Sequence, residues 1–188
     1  LKVVELTCLE RILDLGKNPD VNLNGFFDQV VNYIPIAMKD YLIIFVKLEF
    51  DSKTYKSSFF QQTQNQFEYT LNVSNNLLGF IKIFFHKNKI SPYGLDYNQC
   101  IEKSLKSIAK QLEKVIGYKI SQRKVADSQN QLRLLVKNMP VMISVYDENW
   151  NYIVWNPECE RVTGYTKADL DASDDPEKLF FPDDEYRT

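Results

Sequence analysis

Residues 95–139 read LDYNQCIEKSLKSIAKQLEKVIGYKISQRKVADSQNQLRLLVKNM. Pro92 lies before this stretch and Pro140 follows it directly, and its only interior helix-breaking residue is Gly117. The pattern predicts one helix of roughly 60 Å, at about 1.5 Å per residue. Most globular helices have about three turns, so a helix of this length organises the chain around itself.

This helix carries two apolar runs in steps of three and four residues. The first run is Ile101, Leu105, Ile108, Leu112 and Val115. The second run is Val125, Leu132, Leu135 and Met139, with Ser128 in the fitting polar slot. Because the polar residues 117–124 break the heptad phase between the runs, we predict two amphipathic segments with a hinge at Gly117. Each segment offers a seam through which two copies of the chain can form a homodimer. The first segment can also cover a sheet as the last helix of a domain.

Composition limits the class of protein. The chain has 188 residues, of which 44% are hydrophobic, so it can bury a real core as one domain or two small ones. It contains no run of eighteen apolar residues and no visible signal peptide, which predicts no membrane contact in this region. The three cysteines, Cys8, Cys100 and Cys159, are widely spaced and suit a reducing compartment, so we expect a cytoplasmic location. Because residue 1 is Leu, we expect a piece of a longer chain.

Charge is distributed unevenly along the chain. Residues 1–95 are about neutral, residues 96–139 carry nine Lys and Arg against four Asp and Glu, and residues 140–188 carry four against twelve. Such shifts indicate segments with different roles. The lysines of the basic helix are spread around it without interleaved aromatic residues, so we expect a solvated surface and no nucleic-acid partner.

The first part of the chain predicts helices followed by strands. Residues 1–15 form an amphipathic helix that Gly16 and Pro19 end, and a second helix begins at about Leu23, with Asn22 or Asn24 as its cap and Pro35 as its kink or end. The predicted strands and turns are 42–50, a turn at 51–53, a short edge strand at 54–60, 67–73, a tight turn at 74–76, and 77–85 with Gly79 at a bulge or close approach. Helices covering an antiparallel meander make an α+β domain.

Three segments in this order resemble a GAF domain of the kind found upstream of PAS domains and kinase cores in prokaryotic sensors. They are the helix Phe26–Ile34, the strand Leu42–Asp51 followed by Tyr55-Lys56, and Leu78–Ile83 before the exit helix. The resemblance covers about residues 1–118. The signature of cyclic-nucleotide-binding members is not evident, and no Cys aligns with a chromophore attachment position, so cofactor binding stays unknown.

After Pro140 the sequence resembles the opening of a PAS domain. The matching segments are Asn138–Ile143, Asp147–Asn149, Ile153–Tyr165 and Phe181–Asp184, where Phe181 replaces the usual His. We predict a hairpin of 141–146 and 152–155, then a helix that Asn156 caps, Pro157 enters and Gly164 ends. The resemblance implies that Asn156, Gly164 and Tyr165 are structural motif residues. A PAS core needs about a hundred residues, so residues 140–188 correspond to its N-terminal part and expose a strand edge.

Candidate chemical residues all have a plainer explanation. His86, the only histidine, closes a strand and is expected to be a surface loop residue. The acidic residues between Asp169 and Glu185 lack the Gly of a calcium loop and are expected to be solvated, so no metal is predicted. Cys159 is expected to pack on the sheet as a small hydrophobe. Without a P-loop, a dinucleotide fingerprint or paired catalytic carboxylates, we expect neither a catalytic residue nor a cofactor, and the region is not itself an enzyme.

The sequence therefore predicts three parts: a GAF-like sensor at 1–95, a connecting and dimerisation helix at 96–139, whose first part completes that sensor, and the N-terminal part of a PAS domain at 140–188. The resemblances imply a sensory region of a multi-sensor signal transduction histidine kinase. Its partners would be a second copy of the chain and a downstream kinase or other output domain. A small-molecule sensor and a stimulus-independent interaction scaffold are the alternatives.

Overall fold

A computed structural model describes residues 2–38, 43–74, 77–86, 97–149, 151–173, 175–180 and 183. The chain divides into two compact units, Leu1–Arg123 (unit 1) and Lys124–Thr188 (unit 2). Each unit combines helices with an antiparallel sheet, as the α+β prediction requires. The long helix contributes residues to both units.

Unit 1 contains three helices and four strands. They are α1 (Lys2–Lys17), α2 (Leu23–Met38), β1 (Ile44–Phe50), β2 (Lys53–Lys56), β3 (Asn65–Ser74), β4 (Leu77–Phe85) and the first part of α3 (Tyr97–Asn138). The sheet order is β2-β1-β4-β3, and every neighbouring pair is antiparallel.

One face of this sheet packs against the helices, because apolar side chains alternate along its strands. Along β1, Ile44, Val46, Leu48 and Phe50 are buried while the residues between them are partly exposed. A single core joins these strands to the three helices through Phe26, Phe27, Val30, Val31 and Ile34 of α2, and Ile101, Leu105, Ile108, Leu112 and Val115 of α3. The first predicted apolar run of the long helix therefore covers the sheet.

The contacts within unit 1 decide three predicted details: the cap of α2, the role of Gly79 and the turn after β1. Asn22 caps α2, because its Oδ1 accepts a hydrogen bond from the Gly25 N–H at 2.9 Å, whereas Asn24 accepts one from the Tyr55 hydroxyl. Gly79 marks a close approach, since a Cβ there would lie 2.8 Å from the Glu49 carbonyl oxygen. The predicted turn is confirmed at Asp51 and Ser52, which have positive φ angles, whereas Lys53 already begins β2.

The predicted end of α1 is wrong, and of the two possibilities predicted at Pro35, a kink or an end, the end is excluded. Helix α1 passes through Gly16 and ends at Lys17. Gly16 serves packing, because a Cβ at this position would lie 2.5 Å from Cγ1 of Val115. Helix α2 continues past Pro35 to Met38. The hydrogen bond that proline cannot donate falls in the last turn, where few helical bonds remain to be lost.

The predicted strand boundaries need smaller corrections. Strand β2 lies at the sheet edge as predicted but stops at Lys56 instead of residue 60, and Phe59 has a φ of 57° that a strand excludes. The turn predicted at 74–76 and the start of the strand predicted from residue 42 fall partly outside the described residues. Strand β4 has the predicted bounds, and β3 is longer than predicted.

Unit 2 consists of the end of α3, a hairpin and short helices. The hairpin strands are β5 (Ser144–Tyr146) and β6 (Tyr152–Trp155), and the helices are α4 (Pro157–Thr163), α5 (Lys167–Asp171) and α6 (Glu177–Phe180). Strand β5 begins three residues later than predicted, whereas β6 has the predicted bounds. Helix α3 runs through Gly117 without a break.

Candidate functional site

The amide of Asn156 lies at the centre of unit 2. The residue follows β6 directly and is 3% exposed. Its Oδ1 accepts hydrogen bonds from the Ile143 N–H at 3.0 Å and the Cys159 N–H at 3.1 Å. Its Nδ2 donates to the carbonyl of Val141 at 2.8 Å and to that of Val136 at 3.2 Å. Two acceptor and two donor positions are all a side-chain amide has, so Asn156 is fully satisfied.

These four bonds join separate elements. Val136 belongs to the last turn of α3, Val141 to the connection that follows, Ile143 to the entry of the hairpin and Cys159 to the first turn of α4. The backbone N–H of Asn156 also donates to the Ile143 carbonyl at 3.2 Å. The Asn156 amide therefore ties the end of the long helix to the sheet of unit 2. We call this amide and its four bonding partners the Asn156 junction.

The same asparagine starts α4, as predicted. Its bond to the Cys159 N–H is an N-cap, and Pro157 occupies the first helical turn. Gly164 ends the helix with a φ of 79°, and its N–H donates to the Glu160 carbonyl at 2.8 Å. Glycine adopts the left-handed conformation of a helix C-cap more easily than any other residue, and this backbone conformation explains the glycine at position 164.

An aromatic cluster packs beside the junction. The Trp155 indole donates to the carbonyl of Tyr165 at 2.9 Å. The ring of Phe180 stacks on Trp155 at 5.5 Å and meets the edge of Tyr165 at 5.6 Å, and Tyr152 packs against Trp155 at 5.1 Å. Tyr165 therefore joins the end of α4 to β6 and α6, which is a structural role.

Asp147 organises the turn between β5 and β6. One carboxylate oxygen accepts from the backbone N–H groups of Asn149 and Asn151, and the other accepts from the Asn151 side chain, each at 2.8 Å. The side-chain bond from Asn151 and then the backbone bonds lower the pKa of Asp147 below its ordinary value, because they favour the ionised carboxyl group.

Residues 130–188 match a family model described as PAS domain. This segment is of the PAS type. A search of curated proteins and a search of solved structures each gave no match. The PAS-type match indicates a sensory signalling role, and it includes the whole Asn156 junction, from Val136 to Cys159.

The PAS-type segment begins within an exposed part of the long helix. Between Ser121 and Leu135 every residue of α3 is exposed in the single chain. Three residues of the second predicted apolar run lie on this surface, with exposed fractions of 57% for Val125, 60% for Leu132 and 56% for Leu135, and Met139, which directly follows α3, is 43% exposed. A seam between two copies would therefore have to use this second run, because the side chains of the first run are buried in the core of unit 1.

His86 and Cys159, the other candidate residues, belong to different units of the chain. His86 follows the last residue of β4, is exposed and meets the edge of the Phe45 ring. Cys159 is buried, and its thiol donates to the Ile143 carbonyl at 3.3 Å. No three His, Cys, Asp or Glu side chains converge on a metal position within the described part of the chain. Among the same residues, no helix has both the length and the apolar character needed to cross a membrane.

Sequence reasoning found the Asn156 cap but missed two features. The carbonyl of Val136 as a partner of Asn156 had no local signal, because the two residues are twenty positions apart. The capping box of α5, in which Thr166 and Asp169 bond each other's backbone N–H groups, could have been found from the Thr-x-x-Asp spacing.

Proposed function

We propose that this chain is the non-catalytic sensory and dimerisation region of a cytoplasmic multi-sensor histidine kinase. Unit 1 would be a GAF-like sensor. Helix α3 would carry a change in unit 1 to the PAS-type segment and from there to a downstream kinase or other output domain. Gly117 would be the soft point of the helix, because glycine lowers local helix stability by about 1 kcal/mol.

The observation that carries this proposal is the Asn156 junction. A relay needs the moving helix and the receiving sheet to shift together, since a packed element changes between discrete arrangements. The buried amide meets this need because its four bonds fix the end of α3 to the hairpin and to α4. A displacement of α3 would thus be transmitted directly to β5.

The exposed second run supports a parallel homodimer. Val125, Ser128, Leu132, Leu135 and Met139 follow the a and d positions of a heptad repeat. Gln129 and Gln131, which flank this run, carry no charge, so pairing of identical helices meets no repulsion from them. Burial of four large apolar side chains is the driving force available to the seam.

A cysteine crosslinking experiment tests the seam. Ser128→Cys places a thiol at a d position, whereas the matched control Asn130→Cys places one on the opposite side of the helix. Both variants are made in a Cys100→Ser background, in which the remaining cysteines, Cys8 and Cys159, are buried. We expect rapid disulfide-linked dimers under mild oxidation for Ser128→Cys and few for Asn130→Cys.

Each crosslinking outcome bears on the proposal. Selective dimers at residue 128 support a parallel seam, because an antiparallel pairing centred near Leu132 would place residue 128 opposite residue 136. Equal crosslinking at both positions, or none at either, would remove the seam from the proposal. The relay is then tested in the full-length kinase by comparing its autophosphorylation with and without Gly117→Ala.

A stimulus-independent scaffold is the alternative with a structural observation in its favour. The space between the sheet and helices of unit 1 is filled by large side chains, among them Phe26, Phe27 and Phe50. Native mass spectrometry of the purified protein separates the two functions. Reproducible extra mass that denaturation removes would favour a ligand sensor, and its absence in a protein with an active output domain would favour the scaffold.

A further inference from the structure

The second face of the sheet in unit 1, opposite the helix-covered face, carries a row of lysines. Lys56 of β2, Lys47 of β1 and Lys82 of β4 lie directly opposite one another, and Glu68 of β3 completes the row. Directly opposite residues project from the same face, with Cβ atoms about 5 Å apart. We call Lys56, Lys47 and Lys82 the lysine row.

Such a row is unfavourable by itself, because like charges directly opposite each other destabilise a sheet. Two of the ammonium groups have carboxylate partners: Lys47 pairs with Glu49 at 2.5 Å, and Lys82 pairs with Glu68 at 2.7 Å. The Lys56 ammonium lies over the ring of Phe60 at 5.3 Å. The three lysines and the two glutamates, Glu49 and Glu68, therefore have a net positive charge together.

Aromatic rings border the lysine row on one side. Phe45 and Phe84 are direct neighbours across β1 and β4, two residues from Lys47 and Lys82. The Phe60 ring meets the Phe84 ring edge-on at 5.3 Å and the Phe45 ring at 6.5 Å. Phe84 is buried, whereas Phe45 and Phe60 keep part of their surface accessible. Cations and accessible ring surface thus adjoin on one face.

We propose that this face binds a small organic anion in which a flat apolar group carries at least two negative charges, such as an aromatic phosphate. The anionic group would contact Lys47 and its neighbours in the lysine row, and the flat group would pack on Phe45 and Phe60. Lys ammonium groups bind phosphate as point charges. Glu49 would compete with the ligand for Lys47, so its carboxylate would limit the affinity.

The proposal concerns unit 1 alone and does not depend on the helix seam. It is tested by calorimetric and NMR titration of the whole protein with phenyl phosphate, and separately with inorganic phosphate. We expect Lys47→Gln to weaken phenyl phosphate binding about tenfold, as for loss of one charge-assisted contact. Lys17→Gln removes an exposed charge of α1 and is the matched control, which we expect to bind like the unaltered protein.

Two further variants separate a binding site from a structural ion-pair network. Glu49→Gln should strengthen binding several-fold, because it frees Lys47, whereas a purely structural role predicts lower stability and no gain in binding. Phe45→Leu should weaken phenyl phosphate binding and leave inorganic phosphate binding unchanged. Circular dichroism checks that each variant is folded. Failure of the unaltered protein to bind either probe, or equal effects of Lys47→Gln and Lys17→Gln, would overturn the proposal.

Discussion

At the scale of single residues, Asn156 has the largest expected effect. Replacing it with Ala removes the side-chain partner of the buried Cys159 N–H and of three partly buried groups, the Ile143 N–H and the carbonyls of Val136 and Val141. Because buried polar groups without partners cost about 1–3 kcal/mol each, we expect unit 2 to lose roughly 3 kcal/mol of unfolding free energy.

The measurement is denaturant unfolding followed by tryptophan fluorescence, which reports on unit 2 because Trp150 and Trp155 are the only tryptophans of the chain. Asn138→Ala is the control. It removes an exposed amide that bonds the Leu134 carbonyl, so a change below about 0.5 kcal/mol is expected. If Asn156→Ala and Asn138→Ala lose equal unfolding free energy, the Asn156 junction contributes no more to stability than an exposed amide does.

The Asp147 turn should make the stability of unit 2 depend on acid pH. The pKa of Asp147 is lower in the folded chain than in the unfolded chain, so its stabilisation is complete above the unfolded pKa of about 3.9. This stabilisation is lost as pH falls through the folded pKa. Asp147→Asn should therefore be less stable than the unaltered protein at neutral pH, and the difference should shrink below about pH 4.

Unfolding midpoints between pH 2 and 7, again followed by tryptophan fluorescence, check this expectation. Glu148→Gln removes one charge from the same turn and serves as the control. A gap between Asp147→Asn and the unaltered protein that is constant across this pH range would show that the ionised carboxyl group of Asp147 contributes nothing.

At the scale of elements, Gly117 is the proposed soft point of α3. A Cβ at Gly117 would lie 3.9 Å from Cγ1 of Val73, an ordinary contact, so Ala fits. We expect Gly117→Ala to stabilise the helix locally by about 1 kcal/mol. Amide hydrogen exchange at residues 113–121 should slow about fivefold.

Gly25→Ala is the control for this change, because Gly25 lies in α2 and its Cβ would also meet only ordinary contacts. Exchange at residues 113–121 should be unaltered in that variant. If Gly117→Ala changes neither local exchange nor output in the full-length protein, Gly117 is not a hinge.

The elements also show what a sequence can predict. Strand β4 and helix α3 follow from local apolar periodicity, and the Asn156 cap follows from a short motif. The predicted end of α1 was wrong because Gly16 packs against Val115, which lies about a hundred residues away in the chain. The lysine row likewise needs the register of three strands, which no local pattern contains. Long-range pairing and packing are therefore the part that stayed out of reach.

At the scale of the whole molecule, the proposed homodimer is expected to form through the exposed second run. Replacing Leu132 and Leu135 together with Gln removes the two central leucines of the seam. We expect a dimer at low micromolar concentration to become a monomer, because two of the four large apolar side chains of the seam are lost. Size-exclusion chromatography with light scattering gives the mass directly.

The matched control replaces Leu6 and Leu13, two exposed leucines of α1, with Gln. This variant should keep the mass of the unaltered protein. Dissociation of both variants would point to a different interface, and a monomeric unaltered protein would leave α3 as a domain cover and connector.

The contact between Gly16 and Val115 has a consequence for sequence comparison. Position 16 accepts no side chain while Val occupies position 115, because the two would collide. Relatives of this chain should therefore vary at the two positions jointly, with a larger residue at position 16 accompanied by Ala or Gly at position 115. The pair is a covariation marker for chains in which α1 and α3 approach each other in the same way.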